Sequence, residues 1–345
     1  MPAEAPLTPK AMEQAAREAA QKSEAQVAET LMRNWRIPGW DLKLDRKQIQ
    51  RWINPAGARL ACERDRELRL YECGAIPAGP ANPPQLLVIE IDGGRVQMRV
   101  ADPKTGSRWR EDKVAIISSY LPGDARREIE PEVLLTTHVA TMGDALAVGR
   151  LARLEAERRG LCHAVQVLIL ADGGNWIDPL VEREFAGYPR IIDFYHAVEH
   201  LGACGKAIYG PGVAALAFED QLAEKLEGGE LDALIATLQE HSAKLGAPQK
   251  EDGPEHPRRV LATNVGYFTR HKPHMNYPEY RSKGWPIGSG GVEGAVKQFN
   301  KRVKGTEQFW QPDGAEAVLT LRALYLSGDG RWDRYWNTRP AYLAA

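Results

Sequence analysis

Cysteine is scarce in this chain of 345 residues, which has only Cys62, Cys73, Cys162 and Cys204. No two of them form a C-x-x-C pair, which argues against both a disulfide framework and a zinc ribbon. They read as reduced and structural. Long apolar runs are also missing. No stretch approaches the roughly 18 uninterrupted apolar residues of a membrane span, and the N-terminus lacks the basic-then-apolar layout of a secretory signal. No membrane partner is expected, and a cytoplasmic location follows. Net charge is nearly absent at −1, which taken alone argues against a nucleic-acid partner. No internal repeat is visible, and the one compositionally biased tract is the Pro-rich stretch "AIPAGPANPP" at residues 75–84.

What is present is ordinary in amount and uneven in distribution. Hydrophobic residues make up 43% and charged residues 26% of the chain, as in soluble globular proteins, and the length suggests two or three structural units. From Gly210 to Glu255 ten Asp and Glu face three Lys and Arg, whereas from His256 to Lys304 ten Lys and Arg face only Glu279 and Glu293. Such asymmetry points to a basic face for a polyanion, the bland alternative being a solvated surface.

Residues 8–35, rich in Ala, Glu, Gln and Lys, predict a helix opened by Thr8 and Pro9. A Pro38-Gly39 turn leads to a second helix, "DRKQIQRWI", from Asp45. The pair reads either as a small DNA-binding unit or as a plain helical extension. After the Pro-rich linker the pattern changes to strands. "LLVIEID" reads as a central strand, "RVQMRVAD" after Gly93-Gly94 as its neighbour, and "KVAIISSYL" as a third. A helix from about Val139 to Arg159, the strand "AVQVLILAD", a helix near Trp176 to Phe185 and the strand "RIIDF" follow. Residues 211–245 predict acidic helix and 256–272 basic helix. Beyond Gly-Ser-Gly-Gly at 288–291, "VEGAVKQFNKRV" predicts an amphipathic helix, and a last one spans about Ala315 to Leu326.

Two motifs compete for the chemistry. His196, Glu199 and His200 match the H-x-x-E-H pattern of inverted zincins, since positions i and i+4 share a helix face and can share a tetrahedral ion. Five residues are weak evidence, and a histidine pair on a helix is more often hydrogen-bonded structure. The acids form the stronger constellation. A three-strand meander, a helix and a fourth strand give the topology of ribonuclease-H-like domains, in which carboxylates from the first strand and the end of the fourth meet. Those places hold Asp92 and Asp172, and Glu293 sits in the first turn after the glycine-rich loop. Three carboxylates suit two hard Mg²⁺ ions, or Mn²⁺, in a two-metal mechanism where one ion activates an attacking hydroxyl and the other stabilises the leaving 3′ oxygen of a phosphodiester. Singly each acid has a bland reading, a turn for either Asp-Gly and a dipole contact for Glu293. Lys297, Asn300, Lys301 and Lys304 extend from Glu293 at helical spacing, where phosphates would lie.

The stretches "LADGGNWIDPLV", "IIDFYHAVEHL", "GWPIGSGGVEGAVKQFNKRVKG" and "DGAEAVLTLRALYLSGDGRWDRYW" together resemble the DDE transposases of the bacterial ISKra4 group of insertion sequences, over roughly residues 86–338. The resemblance implies an α/β fold, a ribonuclease-H-like mixed sheet flanked by helices, with an α-helical insertion and a helical N-terminal region. Together with the N-terminal helices and the Pro-rich linker, it divides the chain into units at 1–80, 85–200, 201–285 and 286–340. It carries Asp92, Asp172 and Glu293 over as the triad and as ligands of Mg²⁺ or Mn²⁺. Asp193 and His196 match the [C/D]-x-x-H signature as supporting residues, which makes the zincin match a coincidence. The partner would be double-stranded DNA, element ends and target, bound by a homodimer or higher assembly associated with the bacterial nucleoid. Lys297, Asn300, Lys301, Arg302, Lys304, Arg258, Arg259, Arg270 and Lys272 are the expected DNA contacts. The alternatives are a catalytically silent or domesticated DNA-binding relative and, more remotely, the zinc protease.

Overall fold

The computed structural model describes residues 7–35, 43–304 and 308–338. The turn expected at Pro38 and Gly39 lies outside the described residues. The N-terminal segment forms two helices where one was expected, α1 (Pro9–Ala19) and α2 (Glu24–Asn34). Ser23 and Gln26 make a reciprocal capping box that starts the second afresh. α3 (Arg46–Glu72) is longer than its sequence signal and contains Pro55.

One mixed sheet runs in the order β3-β2-β1-β4-β5. Its strands are β1 (Leu86–Gln97), β2 (Trp109–Leu121), β3 (Glu132–Thr141), β4 (Gln166–Ala171) and β5 (Arg190–Ile192). β2 lies antiparallel to β1 and to β3, whereas β4 lies parallel to β1 and to β5. The parallel neighbours require crossovers, supplied by α4 (Ala145–Arg158) and α5 (Ile177–Glu184). This is the ribonuclease-H-like sheet.

Two expectations within it are corrected. "RVQMRVAD" is no separate strand, because β1 continues straight through Gly93 and Gly94. The glycines serve close approach: an added Cβ would lie 2.6 Å from Glu111 Oε1 at Gly93 and 2.6 Å from Asp112 Oδ1 at Gly94. "KVAIISSYL" is therefore the second strand, and the third is Glu132–Thr141, so Val139 is sheet and α4 begins only after Asp144, whose carboxylate caps Ala147 N–H at 2.9 Å.

α6 (Phe194–Tyr209), α7 (Val213–Glu227), α8 (Leu231–Leu245), α9 (Pro257–His271) and α10 (Tyr277–Ser282) form the insertion. Its core is continuous with the sheet, since Leu201, Leu222, Leu234, Phe268 and Trp285 pack with Leu86, Val88, Leu168 and Leu170. On the other face of β1, Leu87, Ile89 and Ile91 pack against α4 and α5. α11 (Gly290–Val303), α12 (Pro312–Leu326) and α13 (Arg331–Asn337) close the chain. Leu321 and Trp332 share one core with Val27, Leu31, Ile49 and Ile53 of the N-terminal helices. Among the described residues no helix is long and apolar enough to cross a membrane.

Candidate active site

Side chains alternate along β1, so Leu86, Val88, Glu90, Asp92 and Val96 share one face. Leu86 and Val88 belong to the cluster under the insertion, and Val96 to the cluster under α11 and α12. Glu90 and Asp92 stand between the two clusters. Ile91 pairs with Ala171 on the parallel strand β4. Asp92, still within β1, and Asp172, the first residue after β4, therefore stand at one level. Glu293 lies in the first turn of α11, near enough for its charge to act on Asp92.

Proximity shows in the electrostatics. Burial above all pushes the Asp92 carboxyl up to about 6, and the charges of Asp172 and Glu293 add to the rise. A hydrogen bond from Gly93 N–H, 2.6 Å to Asp92 Oδ1, and the nearby His196 oppose it. Asp172 Oδ1 accepts from Gly174 N–H at 3.0 Å. The loop after it is clamped from α9, where Arg270 donates to Gly173 O and Asn175 Oδ1, each at 3.2 Å. Among the described residues the Glu293 carboxylate pairs with Lys297, at 3.3 Å on the surface. The oxygens of these acids are carboxylate oxygens, which suits a hard divalent cation in donor type. As placed, among the described residues, no three His, Cys, Asp or Glu side chains stand close enough together to make a ready ligand set.

The structure brings Asp193 into this network and makes it fully buried. Its Oδ1 caps His196 N–H at 2.7 Å, and its Oδ2 accepts from both the amide and the hydroxyl of Ser289. One side chain thus joins the start of α6 to the glycine-rich loop. The two zincin histidines have other occupations. His200 Nδ1 lies 2.5 Å from Asn264 Oδ1 and its ring stacks on Tyr267 at 3.9 Å, while His196 Nδ1 is 3.5 Å from Glu199.

The basic tract is largely neutralised within the molecule. Arg258 donates to both oxygens of Asp252 at 3.0 and 2.7 Å and holds that carboxyl down at about 2, and Arg259 bonds the carbonyls of Asp252 and Gln249. Lys272 pairs with Asp232 and Arg281 with Glu227, so the basic helices and the acidic ones bind each other. Arg302 is a correction to the expected phosphate contacts. It is 1% exposed, donates to Ala19 O and pairs with Glu24 at 2.9 Å, because its side of α11 faces the N-terminal helices. Asn300 is half-buried. Lys297, Lys301 and Lys304 remain exposed on α11, Lys304 over the ring of Trp109 at 5.9 Å.

Two acids escaped the sequence reading. Glu90 is fully buried, and burial pushes it up to about 7. Asp112, on β2 opposite Gly94, is equally buried with neither oxygen in a well-formed hydrogen bond among the described residues, and burial raises it to about 6. The signal for Glu90 was a charged residue inside an otherwise apolar strand.

No protein-family model matches this chain, and no curated protein matches it. Among solved structures it is similar to the Drosophila P element transposase strand transfer complex. The TM-score is 0.42 and the identity 9%, over 95% of this chain and 94% of that chain.

Proposed function

We propose that this chain is a metal-dependent DNA strand-transfer enzyme, a DDE transposase of the ISKra4 type that nicks double-stranded DNA at element ends and joins the 3′ hydroxyl to target DNA. What supports the reading is that the charges of Asp172, just after β4, and Glu293, in the first turn of α11, both act on Asp92 within β1 and add to the rise of its carboxyl. Bound there, Mg²⁺ or Mn²⁺ would supply charge neutralisation at the phosphodiester. Asp92, Asp172 and Glu293 would hold it. Gly93 and Gly174 N–H fix the two aspartates, and Arg270 with Asp193 steadies the loops on either side. Lys297, Lys301 and Lys304 would meet the backbone phosphates beside the acids, and the reaction then needs positioning and charge more than covalent help. The active species would be a homodimer or higher assembly on DNA.

Labelled end DNA incubated with the protein and Mg²⁺ or Mn²⁺ should be nicked. Asp92→Asn, Asp172→Asn and Glu293→Gln should each abolish nicking and leave DNA binding largely intact, since each removes a ligand and little surface charge. Near wild-type cleavage by any one variant removes that residue from the site. Binding without cleavage by the wild-type protein supports the silent DNA-binding relative instead.

A further inference from the structure

We propose that Glu90 is a positioning residue that sets the height and register of α11 on β1 and so fixes Glu293 relative to Asp92, a role that rests on the function proposed above. The first-turn amides of a helix have no partners within it. α11 has no local side-chain cap, because the amide and hydroxyl of Ser289 are turned to Asp193. Glu90 supplies the missing acceptor from the sheet, taking Val292 N–H on Oε2 at 3.0 Å.

The approach of helix to strand depends on Gly291. An added Cβ there would lie 2.8 Å from Glu90 Oε1 and 2.9 Å from Ile116 Cδ1, so any side chain lifts the helix start off the carboxylate. Val292 precedes Glu293, and Glu90 lies two residues before Asp92 on the same strand face, so one hydrogen bond spans two members of the triad. Asp193 N–H donates to Ala171 O at 3.1 Å, beside the third member, Asp172, while Asp193 Oδ2 holds Ser289. The three acids are therefore each within two residues of one buried network. A fully buried carboxylate is costly to keep, and an apolar side chain of similar size would fold at least as well. Beyond the Val292 amide, the described residues offer this carboxyl only the Tyr120 hydroxyl, and Oε1 makes no well-formed hydrogen bond. The residue is explained by what it holds in place and not by stability.

The test separates the acceptor from the bulk. Glu90→Gln keeps an oxygen for Val292 N–H, and Glu90→Leu removes it without burying a lone charge. Glu90→Gln should retain kcat to within about threefold, whereas Glu90→Leu should lower kcat on the order of tenfold to a hundredfold with the DNA Kd unchanged. Amide hydrogen exchange over residues 290–294 should be faster in Glu90→Leu alone, with the melting temperature unchanged or higher. If Glu90→Leu does not fold, Gly291→Ala takes its place and should show the same loss of kcat and of protection. Wild-type kcat and protection in the variant lacking the contact, or an equal loss in Glu90→Gln, overturns the proposal. Hydrogen exchange needs no reaction, so it judges the contact even if the wild-type protein cleaves no DNA.

Discussion

Burial and two neighbouring carboxylates make the ionised form of Asp92 expensive to fold around. Its value near 6 in the folded protein lies above the ordinary 3.8, so folding favours the protonated acid. Above about pH 6 the folded state carries the full penalty, and below about pH 4 both states are protonated and the penalty disappears. Asp92→Asn is therefore expected to stabilise the metal-free protein by roughly 1–2 kcal/mol at about pH 7.5 and by nothing near pH 4. Added Mg²⁺ should raise the wild-type melting temperature at the higher pH and leave the variant nearly unmoved. Thermal melts across this range decide the matter, and equal melting of both proteins at the higher pH would mean that Asp92 is not desolvated. At this scale the sequence was legible for the positions of Asp92 within a strand, Asp172 just after one and Glu293 in a helix's first turn. It was opaque for Arg302. Nothing local distinguishes that residue from Lys301, one position earlier, and only the docking of α1 and α2 turns it inward.

α11 is the element on which the DNA reading turns, because it carries Glu293 at one end and exposed lysines along its length. Lys301 forms no ion pair among the described residues, and Lys297 only the exposed one with Glu293. If both meet phosphates, Lys297→Ala with Lys301→Ala should weaken DNA binding and flatten the dependence of log Kd on log salt by about 0.9 for each lost contact. Alanine at Lys225 and Lys244, which pair with Glu230 and Glu240 on the insertion, should change neither. Titrations at several salt concentrations read this directly, and an unchanged slope in the α11 variant would show that the helix does not face DNA. Element by element, β4, β5 and the first half of β1 could be read because buried parallel strands are nearly continuous apolar runs. β3 could not: its first half is exposed at the sheet edge, and its three threonines blur the alternation. Asp-Gly-Gly looked like a turn because the close approach of Glu111 and Asp112 is invisible from β1 alone.

The molecule as a whole closes through its ends. α3 lies along α12, and the core around Leu321 and Trp332 is completed by Leu31, Ile49 and Ile53 from the N-terminal helices. Two buried arginines depend on the same contact. Arg302 donates to Ala19 O and pairs with Glu24, and Arg322 donates to Ala20 O. Removing α1, α2 and α3 would expose that apolar surface and leave both guanidiniums without these partners, and breaking one buried pair typically costs about 3–5 kcal/mol. That is a large share of the roughly 5–15 kcal/mol by which domains are stable. A chain starting at residue 75 is therefore expected to lose cooperative thermal unfolding and to accumulate as aggregate, even though the sheet and all three acids remain in it. An appended DNA-binding unit predicts the opposite, a truncated protein that melts within a few degrees of the full chain and has lost only DNA affinity. Calorimetry on the two lengths distinguishes them, and a cooperative melt from the shorter one would restore the N-terminal helices to the role of a detachable arm.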